Sequence, residues 1–229
     1  CFSFDALTVP GTISFIFSPA EAESAKDEKN TYSDWYIWTD NNFNKYQDKS
    51  VHGLHPRNGG YLINYYACQP ALNFGFNKPP KKAAPNNTYD LGEEWKMHYT
   101  DKRLKPLREE LLNIMRFWLN KGIDGFRVDM ANSMVKDCIY DSEKDEDIEG
   151  LIWFWNIIIN TIKAEFPDAL MFAEWNAPSN SVGKCGFDLD YMGHDNPTYN
   201  DLFRNEKKTN ILPSLGISLA IRTSMLRLP

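Results

Sequence analysis

Two long helical periods, separated and followed by short apolar runs, constrain this chain more than any other feature. Leu104, Leu107, Leu111, Met115 and Trp118 step by three or four residues, the spacing of one helix face. Pro106 suits the first turn of that helix and Gly122 its end. A second helix is predicted from about Ile148 to Phe166, with Leu151, Trp155, Ile158, Ile162 and Phe166 on one face and Pro167 just beyond it. Three strand candidates accompany them: Ile123-Asp-Gly-Phe-Arg-Val-Asp129, Ala169-Leu-Met-Phe-Ala-Glu174 and Gly186-Phe-Asp-Leu-Asp-Tyr191. Strands alternating with long helices imply an α/β fold, a parallel sheet joined by crossover helices.

The first hundred residues have another character. They are rich in Asn, Tyr, Trp, Gly and Pro and carry few long apolar periods. Asp34-Trp-Tyr-Ile-Trp-Thr-Asp40 and Tyr61-Leu-Ile-Asn-Tyr-Tyr66 suit short strands, and Pro79-Pro80-Lys-Lys-Ala-Ala-Pro85 is a turn-rich stretch. The region reads as an irregular, aromatic-rich insertion.

The chain has 229 residues, enough for a sizeable core. With 42% hydrophobic and 24% charged residues, it matches an ordinary globular protein. No run approaches the roughly 18 apolar residues of a membrane span. The net charge of −6 and the lack of a basic stripe argue against a nucleic-acid partner. Much of that charge is local, since Asp141 to Glu149 holds six carboxylates and one lysine. A solvated loop entering a helix N-terminus accounts for it, with a cation site as the alternative. Cys1, Cys68, Cys138 and Cys185 include no C-x-x-C pair, so buried free thiols are expected.

Two of the strand candidates finish on an acid, Asp129 and Glu174, 45 positions apart. In parallel α/β sheets the C-terminal strand ends gather at one face, where sites form. Arg127 lies two residues before Asp129, hence on the same side of a strand, and should keep that acid ionised. Phe172 and Trp175 flank Glu174 and would favour its protonated form if they enclose it. An ionised nucleophile beside a protonated acid is what a retaining glycosidase needs. Ordinary strand-end ion pairs and a divalent-cation site are the alternatives that spacing alone leaves open.

The residues themselves are more specific. Gly122-Ile-Asp-Gly-Phe-Arg-Val-Asp-Met-Ala-Asn132 resembles the nucleophile motif of the α-amylase superfamily, glycoside hydrolase family 13. Met171-Phe-Ala-Glu-Trp175 resembles its acid/base motif. Gln69-Pro-Ala-Leu-Asn73 and Tyr32-Ser-Asp-Trp-Tyr-Ile-Trp-Thr-Asp40 are similar to parts of the domain inserted after the third barrel strand. The four matches follow the family's order and cover about residues 30 to 205. The resemblance implies a partial (β/α)8 barrel, about strands three to six, with that inserted domain. Residues 1–14 would be a remnant of the third-strand region, 15–100 the insertion, and 101–229 the truncated central barrel. It also implies Asp129 as nucleophile, Glu174 as general acid/base, and Arg127, Asn132 and Trp175 as substrate-binding residues. The implied partner is an α-linked glucan or oligosaccharide, by hydrolysis or by transfer or isomerisation.

Some features depart from the pattern. The family's third acid belongs to a His-Asp motif near the seventh strand. Gly193-His-Asp-Asn196 follows Glu174 too soon and is assigned to a loop after the sixth strand. The Asn-His motif expected before Trp35 is not in Leu7-Thr-Val-Pro-Gly-Thr-Ile-Ser14, and Ala71 stands where many relatives have Asp. No cofactor is required by the chemistry, and a structural calcium has no support from these residues. With Cys1 at its start, the chain is expected to be the middle of a longer enzyme, with little turnover alone and no compartment assigned. A catalytically inactive carbohydrate-binding relative and a truncated product are the other classes. Both acids being present argues against the former.

Overall fold

The computed structural model describes residues 4–5, 23–40, 49–52, 57, 59–63, 70–86, 92–138 and 145–191. In chain order its strands are β1 (Phe4–Asp5), β2 (Trp38–Thr39), β3 (Ser50–His52), β4 (Gly60–Leu62), β5 (Gly125–Val128), β6 (Leu170–Ala173) and β7 (Leu189–Asp190). The helices are α1 (Lys105–Leu119), α2 (Glu149–Glu165) and the short α3 (Pro178–Ser181).

Two sheets form. In the larger, strands run in the order β1-β5-β6-β7, with β5, β6 and β7 parallel. The helix–strand alternation therefore gives successive parallel βα units, an arc of the arrangement that closes into a barrel. Phe4–Asp5 pairs with Val128 and Arg127 in the antiparallel sense. β1 thus lies beside β5 but runs opposite to it, unlike the parallel β5–β6 and β6–β7 pairs. A strand edge offers hydrogen-bonding groups to a partner of either direction. The smaller sheet, in the order β2-β4-β3, is antiparallel throughout and lies in the aromatic-rich first part of the chain.

Helix α1 is entered through a 3₁₀ turn, Lys102–Leu104, whose Asp101 side chain accepts from the Arg103 N–H. Pro106 stands in its first turn, where a missing N–H costs nothing. Gly122 follows its end at φ 94°, a left-handed conformation that favours glycine. The buried face comprises Leu107, Leu111, Leu112, Ile114, Met115 and Leu119, while Trp118 of the predicted face is only partly buried. Helix α2 buries Leu151, Phe154, Trp155, Ile158, Ile159 and Ile162. Each such side chain contributes about 1.5–3 kcal/mol before entropy is counted. At their exposed ends Arg116 of α1 pairs with Glu165 of α2, its Nη2 donating at 2.7 Å and its Nε at 2.8 and 3.1 Å.

Strand alternation divides β5 and β6 between two faces. Phe126, Val128, Met171 and Ala173 are at most 3% exposed. Arg127 and Phe172 point the other way and are only partly covered. At Gly125 a Cβ would sit 2.0 Å from the Leu170 carbonyl oxygen, so only glycine permits this approach of the two strands. Among the described residues, no helix is long and apolar enough to cross a membrane.

Candidate active site

The registers of β5 and β6 decide the site. Val128 is level with Ala173, so the next residues, Asp129 and Glu174, emerge side by side at adjacent C-terminal strand ends. The Glu174 N–H donates to the Val128 carbonyl at 2.9 Å, and the Ala131 N–H to the Glu174 carbonyl at 3.2 Å. These bonds continue the strand pairing past both acids. Met130 then turns the chain with φ 46° and ψ 48°, which starts a 3₁₀ turn at Ala131–Ser133. A left-handed methionine stores strain that the surroundings must offset. One offsetting contact is the Met130 N–H, which donates to Glu174 Oε2 at 3.2 Å.

Arg127 joins the two acids. One guanidinium nitrogen lies 2.7 Å from Glu174 Oε1 and another 3.2 Å from Asp129 Oδ1. Burial disfavours its charge, but a hydrogen bond with Tyr191 and the two carboxylates outweigh that and hold its pKa above the ordinary value. The Tyr191 ring also lies 5.9 Å from the Arg127 guanidinium and 4.6 Å from the Phe172 ring.

Hydrogen bonding with Asp129, aided by burial, raises the Glu174 pKa, against the Met130 N–H and the Arg127 charge. A hydrogen bond between two carboxyl groups needs one proton between them, so a second negative charge is resisted. The sequence predicts a protonated Glu174 for a different reason, enclosure by Phe172 and Trp175. Phe172 is only partly covered, and Trp175 is 5% exposed within the apolar core. Arg127 is expected to serve Asp129, yet its shorter contact is with Glu174. Asn132 is half-buried on the 3₁₀ turn after Asp129. Trp175 offers no open ring face for stacking. Gly193 to Asn196 and Leu7 to Ser14 lie outside the described residues.

Further groups fix the frame and carry no local sequence signal. Asp190, in β7, accepts from the N–H groups of Trp175, Asn176 and Ala177, each at 3.0 Å, and from Ser181 Oγ at 2.6 Å. It thereby clamps the loop that leaves Glu174. The buried Trp155 indole donates to the Ala131 carbonyl at 2.9 Å and fixes the loop that leaves Asp129. Asp188 accepts from Met171 N and Lys163 Nζ, both through Oδ2 at 2.8 Å.

The family described as alpha amylase, catalytic domain, matches residues 17–185. This chain belongs to the α-amylase family. Among relatives, an oligo-1,6-glucosidase of Bacillus cereus is 29% identical over 123 residues, which cover 50% of this chain and 17% of that protein. Alpha-amylase 3 of Dictyoglomus thermophilum is 26% identical over 160 residues, 68% of this chain and 23% of the relative. A trehalose synthase/amylase of Mycobacterium tuberculosis is 23% identical over 184 residues, 76% and 24% of the two chains. Eubacterium rectale Amy13B shares the fold with a TM-score of 0.58 at 15% identity, covering 90% of this chain and 35% of that one. This α-amylase-family chain is thus a partial (β/α)8 barrel and spans under a quarter of these curated relatives.

Among the described residues no three acid, histidine or cysteine side chains gather as they would around a metal ion.

Proposed function

We propose that Asp129 and Glu174 form the nucleophile and general acid/base of a retaining enzyme acting on α-linked glucans or oligosaccharides. The observation that carries this reading is their emergence at adjacent parallel strand ends, bridged by Arg127, with the Glu174 pKa raised. Asp129 attacks the anomeric carbon while Glu174 delivers its proton to the departing glycosidic oxygen. As the leaving group departs, Glu174 becomes the carboxylate that deprotonates the incoming acceptor. Arg127 offsets the negative charge of the pair and positions both acids. Closely spaced carboxyl groups belong to the retaining geometry, since an inverting pair needs room for water between them.

Hydrolysis and transglycosylation share these steps and differ in the acceptor. The relatives' names span glucosidase, amylase, trehalose synthase and maltosyltransferase. The whole protein's acceptor preference therefore follows from product analysis with water and with maltose as competing acceptors.

The test uses the intact protein that contains this chain. Asp129→Asn should lower turnover of maltooligosaccharides by on the order of 10⁴-fold or more, and Glu174→Gln by about 10²- to 10⁴-fold. Proton NMR should show the α-anomer as the first-formed product. First release of the β-anomer, or retention of activity in Asp129→Asn, would sink the assignment.

A further inference from the structure

The strand registers place a third group beside the two acids. Val128, Ala173 and Asp190 are level across β5, β6 and β7. The residues that follow them, Asp129, Glu174 and Tyr191, therefore form the next row, at the C-terminal ends of three neighbouring parallel strands. Side-chain alternation puts this row on the same side as Arg127 and Phe172, which are level with each other two residues earlier. The chemistry proposed above occupies two members of the row and leaves the third.

Tyr191 turns back toward its neighbours. β5 and β7 are two strand spacings apart, about 10 Å, yet the Tyr191 ring centre lies 5.9 Å from the Arg127 guanidinium. The side chain leans across β6, where its ring lies 4.6 Å from that of Phe172 at a tilt of 44°. Phe172 thus supports the ring on its way to Arg127. A guanidinium carries donors only, so in the Arg127–Tyr191 hydrogen bond Arg127 donates and the phenolic oxygen accepts.

Three acceptors on three strand ends therefore hold one cation. Arg127 Nη2 is 2.7 Å from Glu174 Oε1, and Nη1 is 3.2 Å from Asp129 Oδ1. Between two carboxylates alone, the cation would be drawn to the nearer, Glu174. The donors of a guanidinium have fixed directions in one plane, so a third anchor sets the orientation of that plane. We infer that Tyr191 is a positioning residue for the acid pair, tethering Arg127 so that its guanidinium spans Asp129 and Glu174 and does not settle on Glu174. The catalytic consequence rests on the roles proposed above for the two acids, while the tether itself does not.

Tyr191→Phe in the intact protein tests this, since it keeps the ring on Phe172 and removes only the hydroxyl. Tyr191 is 41% exposed, so no buried cavity results. The groups facing Glu174 are Arg127, Asp129 and the Met130 N–H. Carboxyl carbon NMR on glutamate-labelled protein, with the Glu174 signal assigned by its loss in Glu174→Gln, reads their balance directly. In Tyr191→Phe the released guanidinium moves onto Glu174, and the Glu174 titration should shift to lower pH. The basic limb of the kcat/KM profile should move the same way. With maltotriose, kcat should fall about tenfold or more, the scale of one hydrogen bond to a charged group, while KM stays within about twofold. An unchanged Glu174 titration, or a shift to higher pH, would overturn the inference. So would a rise in KM at unchanged kcat, which would make Tyr191 a substrate contact. If the titration shifts while Asp129→Asn leaves turnover intact, only the proposed catalytic roles fail. If Asp129→Asn is inactive and the titration does not move, only the tether fails.

Discussion

The two faces of the parallel sheet are built from the same strands and do opposite things. Toward α1 and α2, Phe126, Val128, Met171 and Ala173 are sealed, none more than 3% exposed. The other face carries Arg127, Phe172, the two acids just beyond the strand ends, and Leu170, Leu189 and Tyr191 at 41%, 46% and 41% exposure. Side chains of a strand alternate between faces, so one residue's shift in register would exchange them. Stability is concentrated on the helix side and polar chemistry on the other. A substitution should therefore register mainly in denaturation when it falls on one face and mainly in ionisation or turnover when it falls on the other.

The largest stability effect should come from the helix-facing side. Trp155 is fully buried, packs against Phe154 and Phe187 at ring distances of 5.0 and 4.8 Å, and donates to the Ala131 carbonyl. Trp155→Ala should cost about 3–5 kcal/mol in urea denaturation. Trp155→Phe keeps much of the packing and loses the hydrogen bond to the loop that leaves Asp129, which leaves a smaller cost of about 1–3 kcal/mol. A cost for Trp155→Ala below about 1 kcal/mol would mean that this face does not hold the fold.

The same contrast explains what was readable in advance. The helices, the three strands that follow or separate them, and the trio Arg127, Asp129 and Glu174 were legible because their signals are local. Periods of 3.6 and 2 lie within a few residues, and an acid closing an apolar run marks a strand end. The reason for the raised Glu174 pKa was not legible, because the hydrogen bond involves a residue on another strand. Asp190 and Tyr191 gave no signal for the same reason. Asp190 binds groups 9 to 15 positions upstream, and Tyr191 reaches Arg127 across two strands. Trp175, implied as a substrate-binding residue by resemblance alone, is turned into the apolar core by the strand's continuation. In the first hundred residues β3 escaped notice, since three residues, Ser50–His52, pair through β4 and not through a pattern of their own.

The acid-bearing face should also leave a mark on the pH dependence of stability. The native pKa of Glu174 lies above its unfolded value. Its proton is therefore held more tightly in the folded state, which stabilises the fold at low pH. That contribution is full below the unfolded pKa, about 4.3, and is lost as pH rises through the raised native value. Glu174→Gln cannot titrate. Denaturation of both proteins between pH 3 and pH 8 should thus show wild type losing stability relative to Glu174→Gln as the pH rises across that window. A difference that stays flat, or that runs in the other direction, breaks the coupling between Asp129 and Glu174.

The smallest effect makes the sharpest comparison, because it uses two neighbours on one strand. Leu170 and Met171 are consecutive in β6, at 41% and 0% exposure. Leu170 lies on the side of Phe172 and Glu174, and Met171 on the side of the helices. Truncating an exposed apolar side chain removes little surface that folding had buried, so Leu170→Ala should change stability by no more than about 0.5 kcal/mol. A buried methionine would cost several times that. If Leu170→Ala instead costs 2 kcal/mol or more in urea denaturation, its side chain is buried in solution. The open face would then be a second packed layer, and the division of labour between the faces would hold only at the strand ends, where Asp129 and Glu174 stand.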